Sequence, residues 1–208
     1  MRVIGVAGQF RNGKDEVADY IAERLNWPRD AFAKSVKRVF SETFDVSLEF
    51  IEEWKTKDEC PPGFDMPIRQ GLQFIGDGFR KIQGDIWIEL AFRNRTDDVI
   101  LSDSRYVNEL KKIRDLQGIN ILVYRPGFIN DDPNGSEARI RPFVEYFVDQ
   151  GIDGVFCPES TWRLQPVPEE MGLVDIFLRN DAALDDLYAK VDDIVLPYVH
   201  DKWKTITD

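Results

Sequence analysis

The sequence predicts an α/β protein built on a parallel, doubly wound sheet, in which buried strands alternate with amphipathic helices. Two observations carry that prediction. Short, unbroken apolar runs are each followed by a stretch of helical periodicity, and a glycine-bearing loop joins the first strand to the first helix. Two long stretches interrupt this rhythm, each after an expected strand, where a doubly wound sheet gathers its ligand-binding segments.

Val3-Ile4-Gly5-Val6-Ala7 is apolar throughout and ends at Gly8, which suits a strand covered on both faces. Ala18, Ile21, Ala22 and Leu25 then recur at helical spacing until Asn26-Trp27-Pro28 stops them. Val99 to Leu101 reads as a second strand, with a helix marked by Leu110, Ile113 and Leu116 and closed near Gly118. Ile119 to Tyr124 and Val174 to Leu178 read as two further strands. The last helix carries Leu184, Leu187, Tyr188, Val191 and Ile194 on one face. Residues from about 34 to 98 read as helical, with Pro67 opening a helix that bears Ile68, Leu72, Ile75 and Phe79. Residues from about 126 to 172 are rich in proline, glycine and charge, with one helix expected around Phe143 to Gln150.

Composition narrows the function classes. The chain has 208 residues and a formal net charge of −11, which disfavours broad binding to nucleic acid or anionic membrane. A local cationic pocket is compatible with it. The two cysteines, Cys60 and Cys157, lack any partner spacing for zinc or a disulfide framework. His200 is the single histidine, so His-based triads have no material. No apolar run suits a signal peptide or a membrane span, and the expectation is a soluble cytoplasmic protein.

Three motifs carry chemistry. Gly8-Gln9-Phe10-Arg11-Asn12-Gly13-Lys14-Asp15 has the G-x-x-x-x-G-K pattern of a phosphate-binding P-loop, between strand and helix as its mechanism requires. Its backbone amides and the helix N-terminus cradle phosphate, and Lys14 reaches the β- and γ-phosphates. Asp15 stands where the motif usually has the Ser or Thr that meets Mg²⁺, and suits either a water-mediated metal contact or a helix cap. Asp103, at the end of the second predicted strand, resembles a Walker-B carboxylate, with Arg105 two residues on to pair with a substrate phosphate. Arg69 and Gln73, four apart on one helix, share a face able to read a planar ligand, and Arg80 follows.

In its order of motifs the chain resembles the phage-type deoxynucleoside monophosphate kinases, a branch of the P-loop nucleoside monophosphate kinase superfamily. The resemblance rests on Gly8 to Tyr20, Phe32-Ala33-Lys34-Ser35-Val36-Lys37, Arg69 with Leu72-Gln73 and Gly76, and Ser102 to Glu109. Ser136-Glu137 and Ile176 to Leu187 complete it. It implies a three-layer P-loop NTPase fold in one kinase domain: core 1–33, 98–125 and 173–208, an acceptor-binding insertion at about 34–97, and a lid at about 126–172. The implied reaction moves the γ-phosphoryl group of ATP, with Mg²⁺, to a deoxynucleoside 5′-monophosphate.

Donor binding is thereby assigned to Gly8, Arg11, Asn12, Gly13, Lys14, Asp15, Glu16 and Asn180, and metal to Asp15 and Asp103. Acceptor binding falls to Phe32, Lys34, Lys37, Arg69, Gln73, Arg80 and Arg105. Lys14, Asp103, Arg105 and a lid arginine (Arg139, with Arg125 and Arg141 as alternatives) are assigned to catalysis. A homodimer is implied as well. Two alternatives stay open: another small-molecule P-loop kinase, such as one for dephospho-CoA, and a P-loop protein that binds nucleotide without catalysis. Phe143 and Phe147 are expected in the core, as are most tryptophans, Trp27, Trp54, Trp87 and Trp162 among them, while the acidic tract Leu184 to Asp193 is expected as a solvated helix face.

Overall fold

The computed structural model describes residues 1–128, 136–156 and 168–204. The chain divides into two compact units, Met1–Asp30 with Thr96–Asp208, and Ala31–Arg95.

The first unit is a six-stranded sheet of β1 (Val3–Ala7), β2 (Arg29–Asp30), β3 (Val99–Ser104), β4 (Ile119–Tyr124), β5 (Gly154–Val155) and β6 (Ile176–Arg179), in the order β2-β3-β1-β4-β6-β5. Every pairing is parallel except β5 with β6. Because the chain places β3 on one side of β1 and β4 on the other, its direction of winding reverses at β1. The crevice beyond the carboxyl end of β1 is therefore where this topology binds ligands.

Alternation along the strands builds two apolar layers. Ile4, Val6, Ile121, Val123, Ile176 and Leu178 face helices α1 (Lys14–Leu25), α8 (Leu184–Lys190) and α9 (Leu196–Lys204), meeting Val17, Ile21, Leu187, Leu196 and Val199. Ala7, Leu122, Tyr124 and Phe177 face the other side, towards Leu110 of α6 (Val107–Asp115) and Phe143 and Phe147 of α7 (Arg141–Asp149). Between α8 and α9 the helix widens into one π turn, Val191–Val195. α1 ends where Asn26 turns left-handed (φ 53°) and its N–H returns to the carbonyls of Ala22 and Glu23.

The second unit is helical: α2 (Ala33–Phe44), α3 (Leu48–Trp54), α4 (Ile68–Ile82) and α5 (Ile86–Phe92). Phe40, Ile51 and Ile68 form its core, and a Cβ on Gly71 would lie 2.6 Å from the Phe40 ring, so α2 and α4 pack too closely there for a side chain. Pro67 stands at the N-cap of α4 as expected.

Several sequence expectations need correction. β2 and β5 had no signal, because two residues are too few to show a period. Within the 126–172 stretch, α7 covers one face of the sheet and Gly154–Val155 pairs with β6. Phe79 of the expected apolar face is 40% exposed and leans on Trp87, whose indole N–H donates to the Gly76 carbonyl at 2.9 Å. Trp27 is half-buried at the edge of the core, 5.4 Å from the Trp203 ring, with the Arg2 guanidinium 4.7 Å above it. In the acidic tract, Asp192 is tied to the Tyr20 hydroxyl (2.7 Å) and Arg24 (3.1 Å) rather than fully solvated. Phe143, Phe147 and Trp87 are buried, and His200 is exposed. Cys157 and Trp162 lie outside the described residues, as do the side chains of Ser136 and Glu137. Among the described residues no helix is long and apolar enough to cross a membrane.

Candidate active site

The loop after β1 takes a form that its glycines permit. At Gly8 (φ 155°) a Cβ would stand 2.6 Å from the Val123 carbonyl oxygen. At Gly13 (φ 88°) it would stand 2.5 Å from Asn180 Nδ2. A side chain at either position would push the loop off β4 or off the β6 end. Arg11 is also left-handed (φ 64°), and its exposed guanidinium lies 5.1 Å from the Phe10 ring.

Side-chain amides brace the curled backbone. The Asn12 N–H donates to the Gln9 carbonyl at 3.3 Å, and Asn180 Nδ2 donates to the Asn12 carbonyl at 3.1 Å. The Asn180 N–H in turn donates to the Tyr124 carbonyl at 2.7 Å, tying the loop to the ends of β4 and β6. Both amide atoms of buried Gln9 and the Oδ1 of buried Asn12 have no partner among the described residues. Each such orphan costs about 1–3 kcal/mol, so three in one loop mark a place built for more than stability.

Lys14 opens α1 and is 6% exposed, with its ammonium 3.0 Å from the Asp15 carboxylate. Asp15 also accepts from Arg29, whose other guanidinium nitrogen lies 2.5 Å from Asp19. Partial burial acts to raise the Asp15 pKa, but Lys14 and then Arg29 outweigh it and hold the carboxyl below its ordinary 3.8. Asp15 is thus engaged with two cations, while exposed Glu16 adds a second acidic residue to the first turn of α1.

At the end of β3, Asp103 is half-buried and Ser104 is fully buried with its hydroxyl unpartnered among the described residues, and Arg105, just beyond the strand, is half-buried. A cleft of about 610 Å³ follows, lined by Tyr106, Asn108 and Lys111 on the α6 side and by Arg139 and Pro142 at the start of α7. Lys111 and Arg139 have no ion-pair partner among the described residues, which is notable in a chain of charge −11. Of the other arginines expected there, exposed Arg125 lies over the Phe128 ring at 4.5 Å and Arg141 is half-buried at the head of α7.

In the helical unit, Phe32 is buried edge-on to Phe92, and Lys34 is exposed. Lys37 is held by Glu52 at 2.6 Å, Arg69 and Gln73 lie half-buried one turn apart on α4, and Arg80 stands 3.5 Å from Asp77.

Sequence reasoning missed Arg29, Lys111 and the orphaned amide of Gln9. Arg29 sits in a two-residue strand without a pattern, and Lys111 looks like any exposed helix lysine. Gln9 could have been noticed as an uncharged amide in a loop otherwise rich in glycine and cations. Among the described residues no group of three or more His, Cys, Asp or Glu side chains gathers to hold a metal. Asp103, half-buried at the end of β3, is a hard oxygen donor of the kind that would hold a divalent ion together with water and phosphate.

No protein-family model matches the chain. It is 29% identical over 165 residues to a mimivirus (Acanthamoeba polyphaga mimivirus) protein described as "Putative deoxynucleotide monophosphate kinase", covering 70% of this chain and 86% of that protein. It is 21% identical over 171 residues to the uncharacterized protein ORF76 of Ictalurid herpesvirus 1, covering 74% of this chain and 63% of that one. Among solved structures it is similar to a shikimate kinase from Acinetobacter baumannii (TM-score 0.47, 14% identity, 95% of this chain and 94% of that one). A dephospho-CoA kinase from Campylobacter jejuni is similar at TM-score 0.42 and 14% identity, over 96% of this chain and 98% of the other. Likenesses that distant add nothing to what the sheet order and the loop already establish. The chain is a P-loop α/β protein, and its resemblance to the deoxynucleoside monophosphate kinases is borne out by its viral relative.

Proposed function

We propose that the protein is an ATP-dependent kinase that phosphorylates a deoxynucleoside 5′-monophosphate. The observation that carries this reading is the buried Lys14 ammonium at the head of α1, inside a glycine-curled loop and partnered by an exposed carboxylate. The mimivirus relative supports the choice of acceptor.

In this reading an oxygen of the acceptor's phosphate attacks the γ-phosphorus in line. The bond to the β–γ bridging oxygen breaks, and ADP and a deoxynucleoside diphosphate leave. Positioning and charge neutralisation supply the catalysis, which needs no histidine. Lys14 and the amides from Gly8 to Gly13 hold the β- and γ-phosphates, with Arg11 and Glu16 at the rim. Asn180 keeps the loop curled and borders the adenine. Asp103, with water and phosphate, would hold the Mg²⁺ that such a reaction implies, and the ion would neutralise charge on the phosphate oxygens; Asp15 keeps Lys14 in place. Arg105 binds the acceptor phosphate; in the helical unit, Phe32, Lys34, Lys37, Arg69, Gln73 and Arg80 are the residues that the resemblance assigns to the acceptor. Arg139 supplies a cation to the migrating group. The substrates are small and soluble, which suits a cytoplasmic enzyme (the host's cytoplasm for a viral one).

ADP release, coupled to a reporter enzyme, is measured with dAMP, dGMP, dCMP, dTMP and dephospho-CoA. Turnover is expected with one or more of the deoxynucleotides and not with dephospho-CoA. Silence with all four deoxynucleotides would sink the proposal.

A further inference from the structure

We propose that Glu109 is a positioning residue for the acceptor side of the site, a role that rests on the kinase reading of Arg105. Glu109 lies in the first turn of α6 and is 2% exposed. Its Oε2 accepts the backbone N–H of Arg105 at 2.8 Å and that of Tyr106 at 3.1 Å. One buried oxygen therefore fixes two consecutive peptide units at the point where β3 gives way to α6.

The same device occurs in plainer form on α8. There Asp186 Oδ2 accepts the Ala183 N–H at 3.1 Å, but Asp186 is exposed and takes one amide. Helix capping alone is thus met in this protein by a solvated carboxylate. Burying one is costly unless its bonds are well made, so the buried form at α6 calls for a reason beyond capping.

The neighbours supply that reason. The two clamped amides belong to Arg105, the proposed acceptor clamp, and to Tyr106, which with Asn108 and Lys111 walls the 610 Å³ cleft. Fixing these peptide units limits where the Arg105 guanidinium can reach and holds that wall in place. A displacement near 1 Å at such a group costs about a hundredfold in rate. Glu109 touches no substrate in this account; it acts through the Arg105 backbone.

The test compares Glu109→Ala, Glu109→Gln, Glu109→Asp and, as the capping control, Asp186→Ala. Kinetic constants for the deoxynucleotide and for ATP are measured separately, with Tm alongside. Glu109→Ala should lower kcat/KM for the deoxynucleotide at least about tenfold while the KM for ATP stays within about twofold. Glu109→Gln keeps an oxygen in place and should recover to within about threefold of wild type. Glu109→Asp keeps the charge but withdraws the oxygen by one methylene, so it should fall below Glu109→Gln. Asp186→Ala should lower Tm and leave both KM values alone. If Glu109→Ala does not fold, the ranking of Gln above Asp decides. Asp above Gln, a parallel rise in the KM for ATP, or a Glu109→Ala enzyme that differs from wild type in Tm alone would each overturn the proposal. A wild-type enzyme silent on every deoxynucleotide would instead overturn the kinase reading before any substitution is made.

Discussion

The two ends of the parallel sheet each hold a carboxylate–cation cluster, and the two are built inside out. At the amino end Asp175 is 5% exposed and accepts from the Asn120 N–H (2.8 Å), the Tyr198 hydroxyl (3.1 Å) and Lys202 (3.3 Å), with Arg114 at 3.5 Å. The acid is buried there, and its cations, Lys202 and Arg114, have side chains 22% and 40% exposed. At the carboxyl end the order is reversed: the Lys14 side chain is 7% exposed and that of its partner Asp15 is 53% exposed. A buried acid surrounded by donors has no better partner to find, so the cluster is permanent. A buried cation whose acid stands in water can exchange it for a phosphate at little cost. The inversion separates a node of stability from a site of binding.

The largest expected effect lies at the amino end. Asp175→Ala removes the acceptor for a backbone N–H, a hydroxyl and an ammonium at once, and should lower the unfolding free energy by about 2–3 kcal/mol, chiefly by orphaning the buried Asn120 N–H. Urea denaturation measures it, and turnover well below the new Tm should stay within about twofold of wild type, since distant sites act independently. A loss under about 1 kcal/mol would be that of an ordinary surface pair and would break the comparison.

At the carboxyl end the same kind of change should reach activity first. Lys14→Ala and Arg105→Ala should each cut turnover by at least about a hundredfold, the loss typical when a group that stabilises transition-state charge is removed. Stability should change little, because Asp15 is already half in water and keeps Arg29 when Lys14 is gone. Steady-state kinetics beside thermal denaturation separates the two effects. An Arg105→Ala enzyme with near-normal kcat/KM would move the acceptor clamp elsewhere.

How much of this was legible in the sequence differs between the two ends. The glycine loop was, because Gly8 and Gly13 are needed for backbone reasons that a motif records. The long strands were too, since each is apolar on both faces. Asp175 was not: it is one acid before a strand, and its donors Asn120, Tyr198 and Lys202 are brought together only by the fold. Arg29 was hidden for the same reason, being set beside Asp15 by a strand of two residues. The resemblance assigns Asn180 to donor binding, but its bond to the Asn12 carbonyl depends on β6 lying next to β4. Asp15 was legible as a departure from the usual hydroxyl; its engagement with two cations was not.

That engagement gives the smallest effect and the finest test of the inversion. The Asp15 carboxyl titrates below its ordinary 3.8 in the folded protein, because Lys14 and Arg29 outweigh the upward pull of partial burial. A carboxyl depressed on folding adds stability above its unfolded pKa and loses it as pH falls through the folded value. Wild type and Asp15→Asn should therefore differ by a constant margin at pH above about 5, and the margin should close as pH drops below about 4. With the carboxylate half in solvent, the margin should stay under about 1 kcal/mol and shrink further in high salt. Urea unfolding across this range measures it. A margin that persists in strong acid would mean that Asp15 contributes by packing and not by charge, and Lys14 would then lack the exchangeable partner that sets the carboxyl end apart from the amino end.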